Sequence, residues 1–362
     1  IAVAVITYNR PKYLDRALTS IFKAHPGRDV FPVYVSQDGA NEAITSVVKR
    51  HGAHSLVHPR KALELPRGSY IAKMPGYAYL SVHYSWAMRT LFGMGGDQQQ
   101  GGGAPYAGVI VLEEDIEVSA DFFDYFNATA WLLDQDPSLL CISAYNDNGQ
   151  GQYAGDPRAM HRSDFFPGLG WLLSRRLWSE LDAKWPEQHG FWDDWLREKP
   201  QRKDRASIRP EVSRTKTFGE KGTSIGLFYK KYLNKIALVQ EHVHWAAEDV
   251  SYLLKDKYEA LFQQWIGSAT IVTNLEAAKS KAAEGVGGDV LIKYENENDL
   301  VRMCKRLGLM EDLKAGVPRT AYHGVVMIRV NSRRLFLAPS YHVDQDITDD
   351  GHGVLRREVA DS

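Results

Sequence analysis

The chain opens on a short apolar run, Ile1 to Ile6, rich in β-branched residues and of the kind that forms a strand buried on both faces. Asn9-Arg10-Pro11 ends it. From Lys12 to Lys23 apolar residues fall at Leu14, Leu18, Ile21 and Phe22, a helical spacing that buries one stripe. Val30 to Val35 repeats the strand signal and closes on Ser36-Gln37-Asp38-Gly39. Strand, helix and strand in this order make a βαβ unit, whose parallel sheet carries ligands at the carboxyl ends of its strands.

The pattern continues with a helix over Tyr79 to Phe92, a Gly- and Gln-rich surface loop over Gly93 to Pro105, and a third buried strand over Tyr106 to Leu112. That strand runs straight into Glu113-Glu114-Asp115. Helical spacing resumes from Asp121 to Asp134, and Leu139 to Ala144 is a fourth strand before the turn-rich Asn146-Asp147-Asn148-Gly149. Phe165 to Trp195 mixes aromatics, glycines and acids, while Phe218 to Gly226, with three glycines and Ser224, reads as a mobile loop. Beyond Glu248 the pattern changes to a helix at Tyr252 to Trp265, a loop at Gly285 to Gly288, and a stretch at Leu300 to Leu307 that precedes a last strand pair near Gly324 to Val330 and Arg334 to Leu337. We expect an α/β fold in three parts: a catalytic domain over 1–217, a covering loop and linker over 218–250, and a smaller domain over 251–362.

Composition narrows what such a fold can bind. With 362 residues, 44% of them apolar, the chain can bury a large core or two smaller ones. Lys plus Arg number 44 and Asp plus Glu 45, so the formal charge of -1 offers no basic face for nucleic acid. An anionic ligand must therefore meet a few placed cations or a metal. Two cysteines, Cys141 and Cys304, exclude a small disulfide framework, and no apolar run reaches the roughly 18 residues of a membrane span. Asn127-Ala128-Thr129 matches an N-glycosylation acceptor inside an expected helix, which carries little weight.

Glu113-Glu114-Asp115 is the sharpest local signal. Three acids directly after a buried strand repel one another unless a cation compensates them, and a hard divalent ion accepts one or two carboxylates together with phosphate oxygens and water. A solvated strand end with Glu114 facing water is the alternative reading. Asp38, at the second strand's end, suits an acid that bonds a ribose or base, or simply a turn residue. Arg10 can reach an anionic diphosphate or a uracil, and His83 lies within a helical run. Phe191-Trp192-Asp193-Asp194-Trp195 brackets two acids with large aromatics; an Asp desolvated by indole would have its pKa raised toward the range of a general base, and the other reading is an Asp that caps a helix anchored on Trp195.

These residues sit in longer blocks: Val35 to Asp38 (VSQD), Val111 to Phe123 (VLEEDIEVSADFF), Ser143 to Gly149 (SAYNDNG), Asp164 to Leu173 (DFFPGLGWLL), Phe191 to Leu196 (FWDDWL), Ile208 to Thr215 (IRPEVSRT) and Gly316 to Arg319 (GVPR). In their order along nearly the whole chain they resemble the N-acetylglucosaminyltransferase I family of N-glycan processing. The resemblance implies a GT-A-type nucleotide-sugar (Rossmann-like) domain with a mostly parallel sheet, followed by a smaller C-terminal α+β domain. It implies an inverting transfer of GlcNAc from UDP-GlcNAc to the 2-hydroxyl of the α-1,3-linked mannose of a Man5GlcNAc2 N-glycan, in the Golgi lumen, with a type II membrane anchor outside this chain.

By position in the matching blocks, the resemblance implies that Arg10, Asp38 and His83 hold the UDP moiety, that Asp115 is the direct protein ligand of Mn²⁺, and that Glu113 and Glu114 contact sugar and nucleotide. It makes Asp193 the catalytic base, sets Leu169 and Trp192 around the transferred sugar, and makes Ser224 a donor contact on an ordering loop. Three departures stand out. The middle acid is Glu114 where the family has Asp; the family's disulfides are absent, with Ser207 opposite Cys141; and the 93–105 loop is longer. The protein O-linked mannose N-acetylglucosaminyltransferase shares the Leu-Glu-Glu-Asp form and the Asn-Arg-Pro opening, and is the alternative. A sugar-binding protein of the same fold without turnover is another, and so is a metal-dependent nucleotide-sugar hydrolase.

Overall fold

The computed structural model describes residues 1–27, 30–94, 105–187, 190–220, 226, 228–284 and 288–340. Ten strands belong to the first part of the chain: β1 (Ala2–Thr7), β2 (Val33–Asp38), β3 (His54–His58), β4 (Gly108–Glu113), β5 (Ile116–Val118), β6 (Leu139–Ser143), β7 (Met160–Ser163), β8 (Trp171–Ser174), β9 (Ala206–Pro210) and β10 (Thr215–Thr217). Eight of them form one sheet in the order β3-β2-β1-β4-β8-β6-β9-β7. β3, β2, β1 and β4 are mutually parallel, while β8 and β7 run against their neighbours. The short pair β5 and β10 lies antiparallel beside it.

Alternation along β1 divides the core. Val3 and Val5 face a cluster with Leu14, Leu18 and Ile21 of helix Pro11–Ala24. Ala2, Ala4 and Ile6 face the opposite cluster, with Tyr84, Ala87, Met88 and Leu91 of helix Pro75–Gly93. A period of two on a strand sandwiched by helices explains why the opening run is apolar throughout. Each helix starts on a proline, which suits the first helical turn because its missing N–H would have no partner there.

The remaining strands are β11 (Thr270–Val272), β12 (Val290–Tyr294), β13 (Leu313–Lys314), β14 (Val317–Pro318), β15 (Val326–Val330) and β16 (Arg333–Pro339). A four-stranded sheet runs β11-β12-β16-β15, and β13 and β14 form a hairpin of their own. The fold is α/β, as expected, with a large mostly parallel sheet and smaller sheets. Tyr258, Phe262, Leu291 and Phe336 belong to the same apolar cluster as Val3 and Leu112, so the core is continuous across the expected linker.

Several elements differ from the sequence expectation. The second strand begins after Pro32 and runs on to Asp38, which places that acid inside the ladder. The helix expected over Asp121 to Asp134 breaks into Phe122–Thr129 and Leu132–Gln135, and Asp121 makes no side-chain cap because its carboxylate serves Ser119, Arg214 and Trp245. β7 and β9 went unread because each carries an arginine where a buried strand normally carries an apolar residue. Arg162 is tolerated there because Asp136 Oδ2, at 2.7 Å, and the Leu253 carbonyl, at 2.9 Å, accept from its Nη1.

Candidate active site

The carboxyl ends of three parallel strands meet at one edge of the sheet. β1 delivers Thr7, Tyr8, Asn9 and Arg10; β2 delivers Asp38; β4 delivers Glu113, Glu114 and Asp115. The chain goes to β2 on one side of β1 and to β4 on the other, so this edge is a switch point of strand order, where a crevice must open. A cleft of about 280 Å³ lies there, lined among others by Tyr8, Arg10, Asp38, Arg60, Tyr79, His83, Glu113 and Glu114.

Arg10 occupies the cap position of helix Pro11–Ala24 without capping it, which leaves its guanidinium for the acids. Its Nε donates to Glu114 Oε1 at 2.5 Å and its Nη2 to Asp115 Oδ2 at 2.9 Å. Glu114 does not face water: it is buried, and its Oε2 accepts from the Thr7 hydroxyl and from the Tyr8 N–H at 3.1 Å. The strand-end reading with a solvated Glu114 is therefore excluded. Glu113 accepts from the Tyr84 hydroxyl at 2.8 Å, and burial followed by the charge of Asp115 pushes its pKa up to about 7.

Asp38 is bound on both oxygens, by His58 Nδ1 at 2.7 Å and by Arg60, whose guanidinium lies between the rings of Tyr8 and Tyr79. His83 is fully buried, with Nε2 at 2.8 Å from Ser36 Oγ. Burial, helped by His58 and Arg60, lowers its pKa to about 3, so its imidazole is neutral at physiological pH.

Asp193 lies in the first turn of helix Trp192–Arg197, with Asp194 beside it. The indole-raised pKa expected for Asp193 is not what the structure shows. Burial does push its pKa up, but the Arg197 guanidinium, whose Nη1 donates to Asp193 Oδ2 at 2.7 Å, outweighs it and leaves the carboxyl below the ordinary range. Nor does either acid cap the helix: the cap position is Phe191, and both carboxylates bond Arg197. Asp193 stays 38% exposed on its side chain, so it is reachable by a ligand.

Of the residues singled out in the sequence, the cleft brings together Arg10, Asp38, His83, Glu113 and Glu114, with Asp115 joined through Arg10. Trp192 is buried, stacked on Tyr84 at 4.5 Å and on Trp185 at 5.7 Å, and so reaches the acidic run only through the Tyr84 hydroxyl that bonds Glu113. Leu169 sits in a run of three positive φ angles, Gly168 at 69°, Leu169 at 48° and Gly170 at 98°, and its carbonyl accepts from Thr215 Oγ1 at 2.6 Å. Ser224 lies outside the described residues. Asp193, Leu169 and Trp192 are not among the residues that line the cleft; burial, then the charges of Asp193, Asp194 and Glu113, pushes the Tyr77 hydroxyl up to about 12.

Sequence reasoning missed Thr7, Arg60, Tyr84, Arg197 and Lys314. Arg197 had a readable signal, a cation three and four residues after two acids on a helix. Arg60 and Lys314 had none, since strand pairing and a distant hairpin bring them in.

The family model described as the GNT-I family matches residues 1–349. The chain belongs to the GNT-I family. It is 39% identical over 342 residues to the alpha-1,3-mannosyl-glycoprotein 2-beta-N-acetylglucosaminyltransferase of Arabidopsis thaliana, across 93% of this chain and 73% of that protein. Among solved structures, it is similar to S. aureus TarS in complex with UDP-GlcNAc, at 15% identity and TM-score 0.38 over 72% of this chain and 64% of that one. It is likewise similar to the mannosyltransferase PcManGT from Pyrobaculum calidifontis in complex with GDP-Man and Mn2+, at 16% identity and TM-score 0.35, over 59% of this chain and 57% of that one. For this GNT-I family member, Cys141 and Cys304 are free and buried, and Cys141 Sγ lies 3.4 Å from Ser207 Oγ across β6 and β9.

Among the described residues no three His, Cys, Asp or Glu side chains form a metal cage. The acidic run offers carboxylate oxygens only, with Asp115 paired to Arg10, a donor type that suits a hard divalent cation whose shell phosphate oxygens and water would complete.

Proposed function

We propose that this protein is an inverting glycosyltransferase that moves GlcNAc from UDP-GlcNAc to the 2-hydroxyl of the α-1,3-linked mannose of Man5GlcNAc2 N-glycans. The observation that carries the reading is the convergence, in a GNT-I family member, of Arg10, Asp38, Glu113 and Glu114 on one cleft at the switch point of the sheet, with Asp115 paired to Arg10. Asp38, held by His58 and Arg60, and neutral His83 take the nucleoside; Arg10 faces the diphosphate. Glu113 and Glu114 are given sugar and nucleotide contacts, Leu169 and Trp192 are given the sugar's surroundings, and Ser224 is given a donor contact. Mn²⁺ held by Asp115, when bound, neutralises charge on the leaving diphosphate.

In the transfer, Asp193 accepts the proton of the mannose hydroxyl as that oxygen forms a bond to the anomeric carbon. The bond from that carbon to the β-phosphate oxygen breaks, and its electron pair leaves with UDP. Attack opposite the leaving group inverts the anomeric centre, through an oxocarbenium-like state of the kind met in glycoside hydrolysis. A base held ionised through neutral pH is always in the correct form, at the expense of proton-transfer driving force.

The expected parts of the chain, catalytic over 1–217, covering over 218–250 and smaller over 251–362, belong to the same proposal. So does placement in the Golgi lumen, which family membership supports; among the described residues no helix is long and apolar enough to cross a membrane. The test is product analysis with UDP-GlcNAc and Mn²⁺, comparing Man5GlcNAc2 with an O-mannosyl peptide. A β-1,2-linked product on the N-glycan alone is expected. Equal transfer to both acceptors overturns the acceptor assignment, and UDP release without any acceptor product overturns the transferase.

A further inference from the structure

The Arg197 guanidinium is 6% exposed and carries an uneven load. Its Nη1 alone serves two carboxylates, Asp193 Oδ2 at 2.7 Å and Asp194 Oδ1 at 2.8 Å, while its Nε is committed to the Phe166 carbonyl at 3.1 Å. Two negative charges on one cation would leave the acids competing for it. The fourth charge comes from far along the chain: Lys314 Nζ donates to the other oxygen of Asp194, Oδ2, at 3.0 Å.

Lys314 is delivered by a built device. It ends β13, pairs with Val317 across the hairpin, and the two residues between them turn with positive φ, Ala315 at 49° and Gly316 at 77°. Such two-residue turns match the twist of a hairpin and hold it in one register. The hairpin's base is clamped to the main sheet by Arg319, which donates to Asp147 at 2.6 Å and to Asp312 at 2.7 and 3.1 Å. Asp147 lies four residues past the end of β6 and is itself buried, so the clamp ties the hairpin to the loop that leaves the main sheet.

We propose that Lys314 is a positioning residue for the reaction, acting through Asp194 and Arg197 to keep Asp193 ionised and in place. By occupying Asp194, Lys314 releases the Arg197 charge for Asp193. The proposal rests on Asp193 being the base. The groups that act on or are acted on by Asp193 are Asp194 and Arg197 on its own helix, Tyr77 and Tyr84 from helix Pro75–Gly93, and Lys314 from the hairpin; Glu113, at the end of β4, acts on the same two tyrosines.

Charge balance gives the test its sign. Lys314→Met leaves the cluster one unit more negative, so ionised Asp193 is disfavoured and the acidic limb of kcat/KM moves to higher pH, by about 0.5 unit or more for loss of a nearby unit charge in a wet site. Asp194→Asn leaves it one unit more positive and must move the limb the other way. Lys314→Arg keeps the charge and must keep the wild-type limb. The pH profile of GlcNAc transfer is measured for all four proteins, with circular dichroism at each pH to follow the fold. Opposite shifts with rescue by arginine establish the relay. An unshifted limb in Lys314→Met, or equal shifts in both variants, overturns it. If Asp193→Ala retains near wild-type kcat, the base assignment itself fails, an outcome separate from failure of the relay.

Discussion

Glu114→Ala removes the acid that ties β1 to β4 at the cleft. Glu114 accepts from Thr7, from the Tyr8 N–H at 3.1 Å and from Arg10 at 2.5 Å, and its side chain is only 6% exposed. Truncation strands the hydroxyl of Thr7, itself 2% exposed, and the Tyr8 N–H, each a loss of about 1–3 kcal/mol when no water reaches them. Arg10 keeps Asp115 at 2.9 Å and is 26% exposed, so part of its loss is recovered by solvent. The sum falls in the range of about 3–5 kcal/mol typical of breaking a buried pair from one side. In a protein of this length that corresponds to a fall in Tm of roughly 4–7 °C. Glu114→Gln keeps the shape but puts an amide donor among donors, and Glu114→Asp keeps the charge one methylene short, so both should fall between. Thermal melts followed by circular dichroism, with UDP titrations beside them, measure the series. A Glu114→Ala protein melting within about 2 °C of wild type would show that the carboxylate is not the strut described.

Gly219→Ala introduces a Cβ that would sit 2.2 Å from Asp115 Oδ2, so the carboxylate must move; Mn²⁺-dependent UDP binding by calorimetry should weaken tenfold or more while the melt barely changes. Ser207→Cys places a second thiol opposite Cys141, in strand register and with the present side chains 3.4 Å apart. Under oxidising conditions it should lose two mass units and gain about 3–4 kcal/mol from closing a long loop, an increase in Tm abolished by reductant. Glu211, buried and bonded to His161 and by both oxygens to Arg329, has its pKa lowered because those hydrogen bonds outweigh burial. A depressed carboxylate pKa contributes stability that is full above the unfolded value and lost as pH falls toward the folded one, so urea midpoints should drop below about pH 4.3. Glu211→Gln should start lower at pH 7, by about 3–5 kcal/mol, and show a shallower fall.

Local pattern was enough for the elements that bury one regular stripe or two plain faces. β1, helix Pro11–Ala24, β4 and β6 are close to their expected positions because their burial is written as periodic apolar side chains. The acid run after β4 was legible for the same reason, since a run of apolar residues that stops on three carboxylates marks a strand's carboxyl end. Residue blocks such as Phe191 to Leu196 and Val111 to Phe123 determined the family without any coordinates.

Only the folded chain decided how charges pair. Arg162 is buried in a strand because its partners, Asp136 and the Leu253 carbonyl, come from elsewhere in the chain. The basicity of Asp193 came out opposite to the expectation, since the flanking indoles are visible in the sequence and the dominance of Arg197 over them is a matter of 2.7 Å. Apolar burial is additive along an element and so leaves a local trace. A carboxylate's state depends on the few charges within reach of it, and tertiary structure alone places Arg10 on Asp115, Arg60 on Asp38 and Lys314 on Asp194.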